Sequence, residues 1–205
     1  MKAPEKLDLY KVNKAEYAAR RKPGLVEIKP ATYLAIAGQG EPGGKRFTAS
    51  IGALYGAAFT IKMTRKFAGE QDYAVSKLEG QWWCDSAPDH SRVPPQQWQW
   101  KLMIRTPEFV TQAELDKAVA LLLKRGKEPE VKEVRIETIE EGQCVQMLHV
   151  GPYDKECETL TLMREFAAKK GLQFDGRHHE VYLSDPRRVP PERLKTILRQ
   201  PVRAQ

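Results

Sequence analysis

Two hydrophobic periods alternate along this chain, and their order restricts the fold more than any bulk property. Between residues 47 and 66, Ile51, Leu54, Tyr55, Ala58, Phe59 and Lys62 recur at the i, i+3, i+4 spacing of one helix face. Trp98, Trp100 and Leu102 recur instead at every second position, so a strand over 98–105 would carry all three on one face. Short strands are expected over 25–28 and 32–37, broken at Pro30, and a longer one over 73–83. Thr111-Gln112-Ala113-Glu114 is a capping box that opens a helix reaching Arg125, with Gly126 just beyond it. After Gly126-Lys127-Glu128-Pro129, strands over 131–138 and 143–150 flank a Glu141-Gly142 turn. A helix over 154–170 then ends at Gly171, and strands follow over 178–184 and 195–202.

The two halves share this order of elements, although their residues repeat only weakly. The expectation is an α+β fold with 1–205 as a single domain. It would comprise two pseudo-repeated β-β-α-β-type units, 25–126 and 130–203, packed side by side. A chain of this length can bury about 70% of its unfolded surface, and its 41% hydrophobic and 30% charged residues are those of a globular protein.

Several function classes are set aside by composition. No apolar run approaches the ~18 residues that cross a bilayer, and Met1-Lys2-Ala3-Pro4-Glu5 has no apolar segment behind it, so no membrane partner or signal peptide is expected. Cys84, Cys144 and Cys157 lack C-x-x-C spacing, which argues against a disulfide framework or zinc site and for a reducing cytoplasm. Cys144 and Cys157 are read as packing residues. Of the net charge of +7, residues 1–24 carry +4 and residues 187–205 carry +5, leaving the body at −2. Without a helix-turn-helix or aromatic-basic motif, this excess reads as solvated basic ends rather than a nucleic-acid surface. The Gly38–Gly44 loop lacks the Lys-Ser/Thr ending of a phosphate loop and reads as a turn.

His149-Val150-Gly151-Pro152-Tyr153-Asp154, followed about thirty residues later by Glu180-Val181-Tyr182-Leu183-Ser184-Asp185-Pro186, resembles the GyrI-like small-molecule-binding family. Gln200-Pro201-Val202 is similar to that family's last strand, and Lys77-Leu78-Glu79-Gly80-Gln81-Trp82-Trp83 resembles a stand-alone branch of it. The resemblance implies paired β-α-β-β-type repeats with antiparallel sheets and a shared ligand cleft between them that binds hydrophobic, aromatic or cationic small molecules, and no cofactor is expected. It also implies three functional alternatives. These are hydrolysis of cyclopropane-bearing DNA-alkylating compounds, sequestration of toxins without turnover, and a protein-interaction role such as inhibition of gyrase.

Alternation places His178, Glu180, Tyr182 and Ser184 on one face of their strand and His179, Val181 and Leu183 on the other. The second face is expected against helices, leaving Glu180 and Tyr182 toward the cleft. Glu180 could be a counterion for a cationic ligand or a general base that activates water. Glu79 is a second candidate acid, able to divide acid and base roles with Glu180 if both reach one cleft. Trp82 and Trp83 offer flat faces for stacking. Period two sets Trp82 opposite Glu79 and Trp83 unless Gly80 resets the phase, and Trp82 is assigned to the cleft. Tyr153 could donate to a leaving oxygen, while Trp100 and His178 complete the expected ligand-binding set. No metal site is expected, because the adjacent His178 and His179 diverge on a strand and no carboxylate cage is evident.

Overall fold

The computed structural model describes residues 5–86, 93–127 and 129–205. Met1–Pro4, residues 87–92 and Glu128 of the Gly126–Pro129 stretch lie outside the described residues. The elements are α1 (Leu9–Val12), α2 (Lys14–Tyr17), β1 (Gly24–Ile28), β2 (Ala31–Gln39), α3 (Lys45–Phe67), β3 (Leu78–Trp83) and β4 (Gln99–Arg105). They continue with α4 (Gln112–Lys124), β5 (Arg135–Ile139), β6 (Gly142–Val150), α5 (Glu156–Lys169), β7 (Leu172–Phe174), β8 (His178–Tyr182) and β9 (Lys195–Ala204). This mixture of helices and antiparallel strands is an α+β fold. No helix among the described residues is long and apolar enough to cross a membrane.

The chain divides into two compact units. Unit 1 takes in the N-terminal stretch to Val12, Ala31–Leu78 and Trp82–Ile139. Its β2 pairs antiparallel with β4 on one side and β5 on the other. Alternation along β2 sends Leu34 and Ile36 into the main core with α3 and α4, and Tyr33 and Ala35 to a smaller cluster with Met103. The buried stripe of α3 is Ala53, Leu54, Ala57, Ala58 and Ile61, while Phe59 is 51% exposed and stacks on Tyr55 instead. Lys62, on the same helix, is buried and reaches Asp72 at 3.1 Å. The capping box forms as expected, with the Glu114 amide donating to the Thr111 hydroxyl and the Thr111 amide donating to the Glu114 carboxylate.

Trp100 is fully buried in unit 1, and its indole lies directly over the backbone of Gly38. A Cβ at position 38 would fall 2.3 Å from the ring, too close for any side chain. Gly38→Ala is therefore expected to destabilise the protein by about 1–3 kcal/mol through overpacking, read as a lower urea midpoint. An unchanged midpoint would mean that the ring can move aside freely.

Unit 2 comprises Asn13–Pro30, Glu79–Gln81 and Glu140–Gln205. Its strands run β1, β6, β9, β8 in space, all antiparallel, with β7 added to the far end of β9. Helix α5 packs Met163 and Ala167 onto Val145, Met147 and Leu198. The two strands flanking the Glu141-Gly142 turn do not pair with each other. Residues 129–133 make a tight 3-10 turn, with Val131 and Val134 buried in the core of unit 1, and β5 pairs with β2 while β6 pairs with β1 and β9. Burial of those two valines outweighs the short-range tendency of two neighbouring strands to pair with each other. The segment 73–83 likewise narrows to β3, with Tyr73 bridging Leu7 instead. Cys144 is buried as a packing residue, but Cys157 is exposed.

Candidate functional site

The two faces of β8 have different chemistry, and each is assembled within unit 2. β9 fixes the strand by pairing Glu180 with Leu198, Val181 with Ile197 and Tyr182 with Thr196. Because successive side chains alternate, His178, Glu180 and Tyr182 leave by one face and His179 and Val181 by the other.

On the first face Glu180 meets Glu156, from the first turn of α5. The two carboxyl groups are in hydrogen-bonding contact, and His178 Nε2 lies 3.3 Å from Glu180 Oε1. All three residues are buried, at 8% exposure for Glu156, 6% for His178 and 7% for Glu180. Two carboxylates this close in a poorly solvated site repel, so one proton is held between them. Burial, the charge of Glu180 and the hydrogen bond to it together hold the Glu156 carboxyl well above the usual carboxylate range. Tyr153 and Tyr182 stand edge to face beside the pair, with ring centroids 6.1 Å apart. Tyr153 is 40% exposed and gives the cluster an aromatic, accessible margin. Burial, followed by the nearby charges of Glu180, Glu156 and Asp185, pushes its phenol up to about 12, so it stays a proton donor at neutral pH.

The turn before α5 places Tyr153 and Glu156. Gly151 adopts φ +148°, conformational space that suits glycine. His149 then fastens the turn to the helix. Its Nε2 donates to the Pro152 carbonyl at 3.1 Å, and its Nδ1 accepts from the Thr159 hydroxyl at 2.9 Å. Glu156 lies on the same buried stripe as Thr159, Met163 and Ala167. That position is the signal sequence reasoning overlooked: an acid occupies a helix position where spacing calls for an apolar residue.

On the second face His179 is fully buried between two carboxylates, Glu79 at 3.0 Å from Nε2 and Glu141 at 2.8 Å from Nδ1. Both ring nitrogens therefore donate, which requires the imidazolium. Burial opposes that charge, but Glu141 and Glu79 outweigh it and raise the histidine to about 9. Burial also pushes Glu141 upward, but His179, Arg199 and Gln81 outweigh it and bring the carboxyl down to about 2. Arg199 lies 3.6 Å from Glu141 and donates to the Glu16 carbonyl at 2.7 Å, and Tyr17 donates to Glu79 at 3.0 Å. The result is two carboxylates balanced by two cations, out of water.

The expected site residues therefore separate. Glu180, Tyr182, Tyr153 and His178 come together, joined by Glu156. Glu79 does not join them. It is fully buried, bonded to His179 and Tyr17, and directed to the opposite face of β8 from Glu180. The expected apolar contact of His179 is replaced by this ionic one. Trp82 is a core residue of unit 1, stacked on Phe47 at 5.6 Å, and Trp100 is enclosed in the same core. Their large apolar rings gain more from that core than from a surface. Trp83 is half-buried at the end of β3. The absence of a carboxylate cage also needs correction, since Glu156, His178 and Glu180 each offer one ligand atom, all within 4.8 Å of one another.

The α+β frame thus carries a buried carboxyl pair with an aromatic margin in unit 2. The GyrI-like small-molecule-binding-domain profile matches residues 21–203, and the chain belongs to that family. An uncharacterised conserved protein from Listeria innocua is 37% identical, with TM-score 0.90, over 97% of this chain and 100% of that one. A hydrolase from Listeria innocua is 36% identical, with TM-score 0.86 and the same coverage. The EcmrR C-terminal domain shares the fold at 11% identity and TM-score 0.58, over 90% of this chain and 98% of that one. No curated protein matches the chain.

Proposed function

We propose that this protein hydrolyses electrophilic, cyclopropane-bearing small molecules, with Glu180 and Glu156 as base and acid. The observation that carries the reading is the buried contact between the two carboxyl groups, which keeps one ionised and one protonated at the same pH. Glu180 takes a proton from water as its oxygen attacks a cyclopropane carbon. A ring C–C bond breaks, and its electron pair passes to a conjugated carbonyl oxygen of the substrate. That oxygen is protonated by Glu156, and the Tyr153 or Tyr182 hydroxyl hydrogen-bonds it as its charge develops. The net change is addition of one water.

The similarity to a Listeria innocua hydrolase over nearly the whole chain supports turnover rather than sequestration. Such an activity would protect a cell against DNA-alkylating natural products, and the free cysteines suit a cytoplasmic location. The test is incubation of the purified protein with a cyclopropane-bearing alkylator in oxygen-18 water, followed by mass spectrometry. A ring-opened product carrying one labelled oxygen is expected. Intact compound recovered after demonstrable binding would replace the hydrolase with a sequestering module.

A further inference from the structure

We propose that Glu156, His178 and Glu180 form a four-coordinate site for a divalent transition cation of the zinc class, three ligands from the chain and one from solvent. The reason lies in the donor set and its spacing. Zinc takes imidazole nitrogen and carboxylate oxygen at about 2.0–2.1 Å, and the edge of such a tetrahedron is about 3.3–3.4 Å. His178 Nε2 and Glu180 Oε1 are 3.3 Å apart. The third ligand atom, from Glu156, completes a set lying within 4.8 Å. With no pair farther apart than 4.8 Å, closing any gap to a tetrahedral edge takes a movement of at most about 1.4 Å, within reach of a long side chain on the first turn of a helix.

A second observation points into the same cluster. Glu156 Oε1 is buried and has no hydrogen-bond partner among the described residues, in a side chain only 8% exposed. A buried carboxylate oxygen without a donor is costly, and a cation would satisfy it. One imidazole and two carboxylates favour zinc, cobalt or nickel over magnesium and calcium, which prefer more numerous oxygen ligands. Bound zinc would occupy the same two carboxyl groups as the acid–base pair, and three protein ligands leave one coordination position for a water molecule.

The experiment titrates the EDTA-treated, dialysed full chain with ZnCl2 by calorimetry and with CoCl2 by visible absorption, with MgCl2 as comparison. One zinc per chain is expected, with an intense four-coordinate cobalt spectrum and no magnesium heat. Glu156→Gln and His178→Asn, each checked for a native circular-dichroism spectrum, are expected to weaken zinc binding by at least about 100-fold, since losing a direct ligand should cost no less than the ~10–100-fold of losing a residue that supports one. No stoichiometric zinc binding by the unmodified chain would overturn the proposal, as would unchanged affinity in a folded variant or a six-coordinate cobalt spectrum. No alkylator enters the measurement, so its failure leaves the hydrolase reading intact.

Discussion

Glu180→Gln is expected to lower turnover of a cyclopropane-bearing alkylator by about 10²–10⁴-fold, the usual worth of a positioned general base. The amide keeps the shape of the side chain and can still hydrogen-bond Glu156, but it cannot take a proton from water. Binding of the same compound, followed by quenching of tyrosine and tryptophan fluorescence, should change little. That pairing separates the two roles open to Glu180. A counterion for a cationic ligand would lose binding on substitution, whereas a base loses rate. Glu156→Gln should also depress the rate, because the proton for the developing oxyanion is gone, and Tyr153 can compensate only by hydrogen bonding. Turnover within tenfold of the unmodified protein in both variants would sink the acid–base pair.

The second large effect concerns stability. His179→Leu is expected to cost about 3–5 kcal/mol, the range for breaking a buried ion pair by removing one partner. It leaves Glu79 and Glu141 facing each other's charge with only Arg199 to offset two carboxylates, all of them out of water. For a chain of this length, that corresponds to a melting temperature about 6–20 °C lower. His179→Gln, which can still donate to one carboxylate, should fall between the two. A loss below about 1 kcal/mol in His179→Leu, well under the ~3–5 kcal/mol expected, would mean that water or a rearranged Arg199 compensates the two carboxylates.

These two residues also mark how far the sequence could be read. Period-two alternation separates Glu180 from His179 with no structural help, because one strand residue fixes the next. The Thr111–Glu114 cap was equally legible, since both partners lie within four residues. The acid pair was not. Glu156 and Glu180 are brought together by the docking of α5 and β8 in the fold, and no local pattern encodes that. The same applies to Glu79, whose partners are 62 and 100 residues away. Its neighbours Trp82 and Trp83 made it look like part of a binding surface, but burial in a charge-balanced network is decided by distant chain. The pairing of β5 with β2, and not with the adjacent β6, is another long-range choice that short-range propensity misreads.

The adjacency of His179 and Glu180 bears on how this protein could be altered. One strand separates the chemistry that holds the fold from the chemistry proposed to act on a ligand, and the offset between them is a single residue. An insertion or deletion of one residue ahead of position 179 would exchange the faces, presenting an imidazolium to the acid pocket and a carboxylate to an ion network already balanced. Length changes in β8 should therefore be lethal to both properties at once. Variation aimed at new ligands belongs at the exposed margin, at Tyr153 and the half-buried Tyr182, where side chains can change without moving the register.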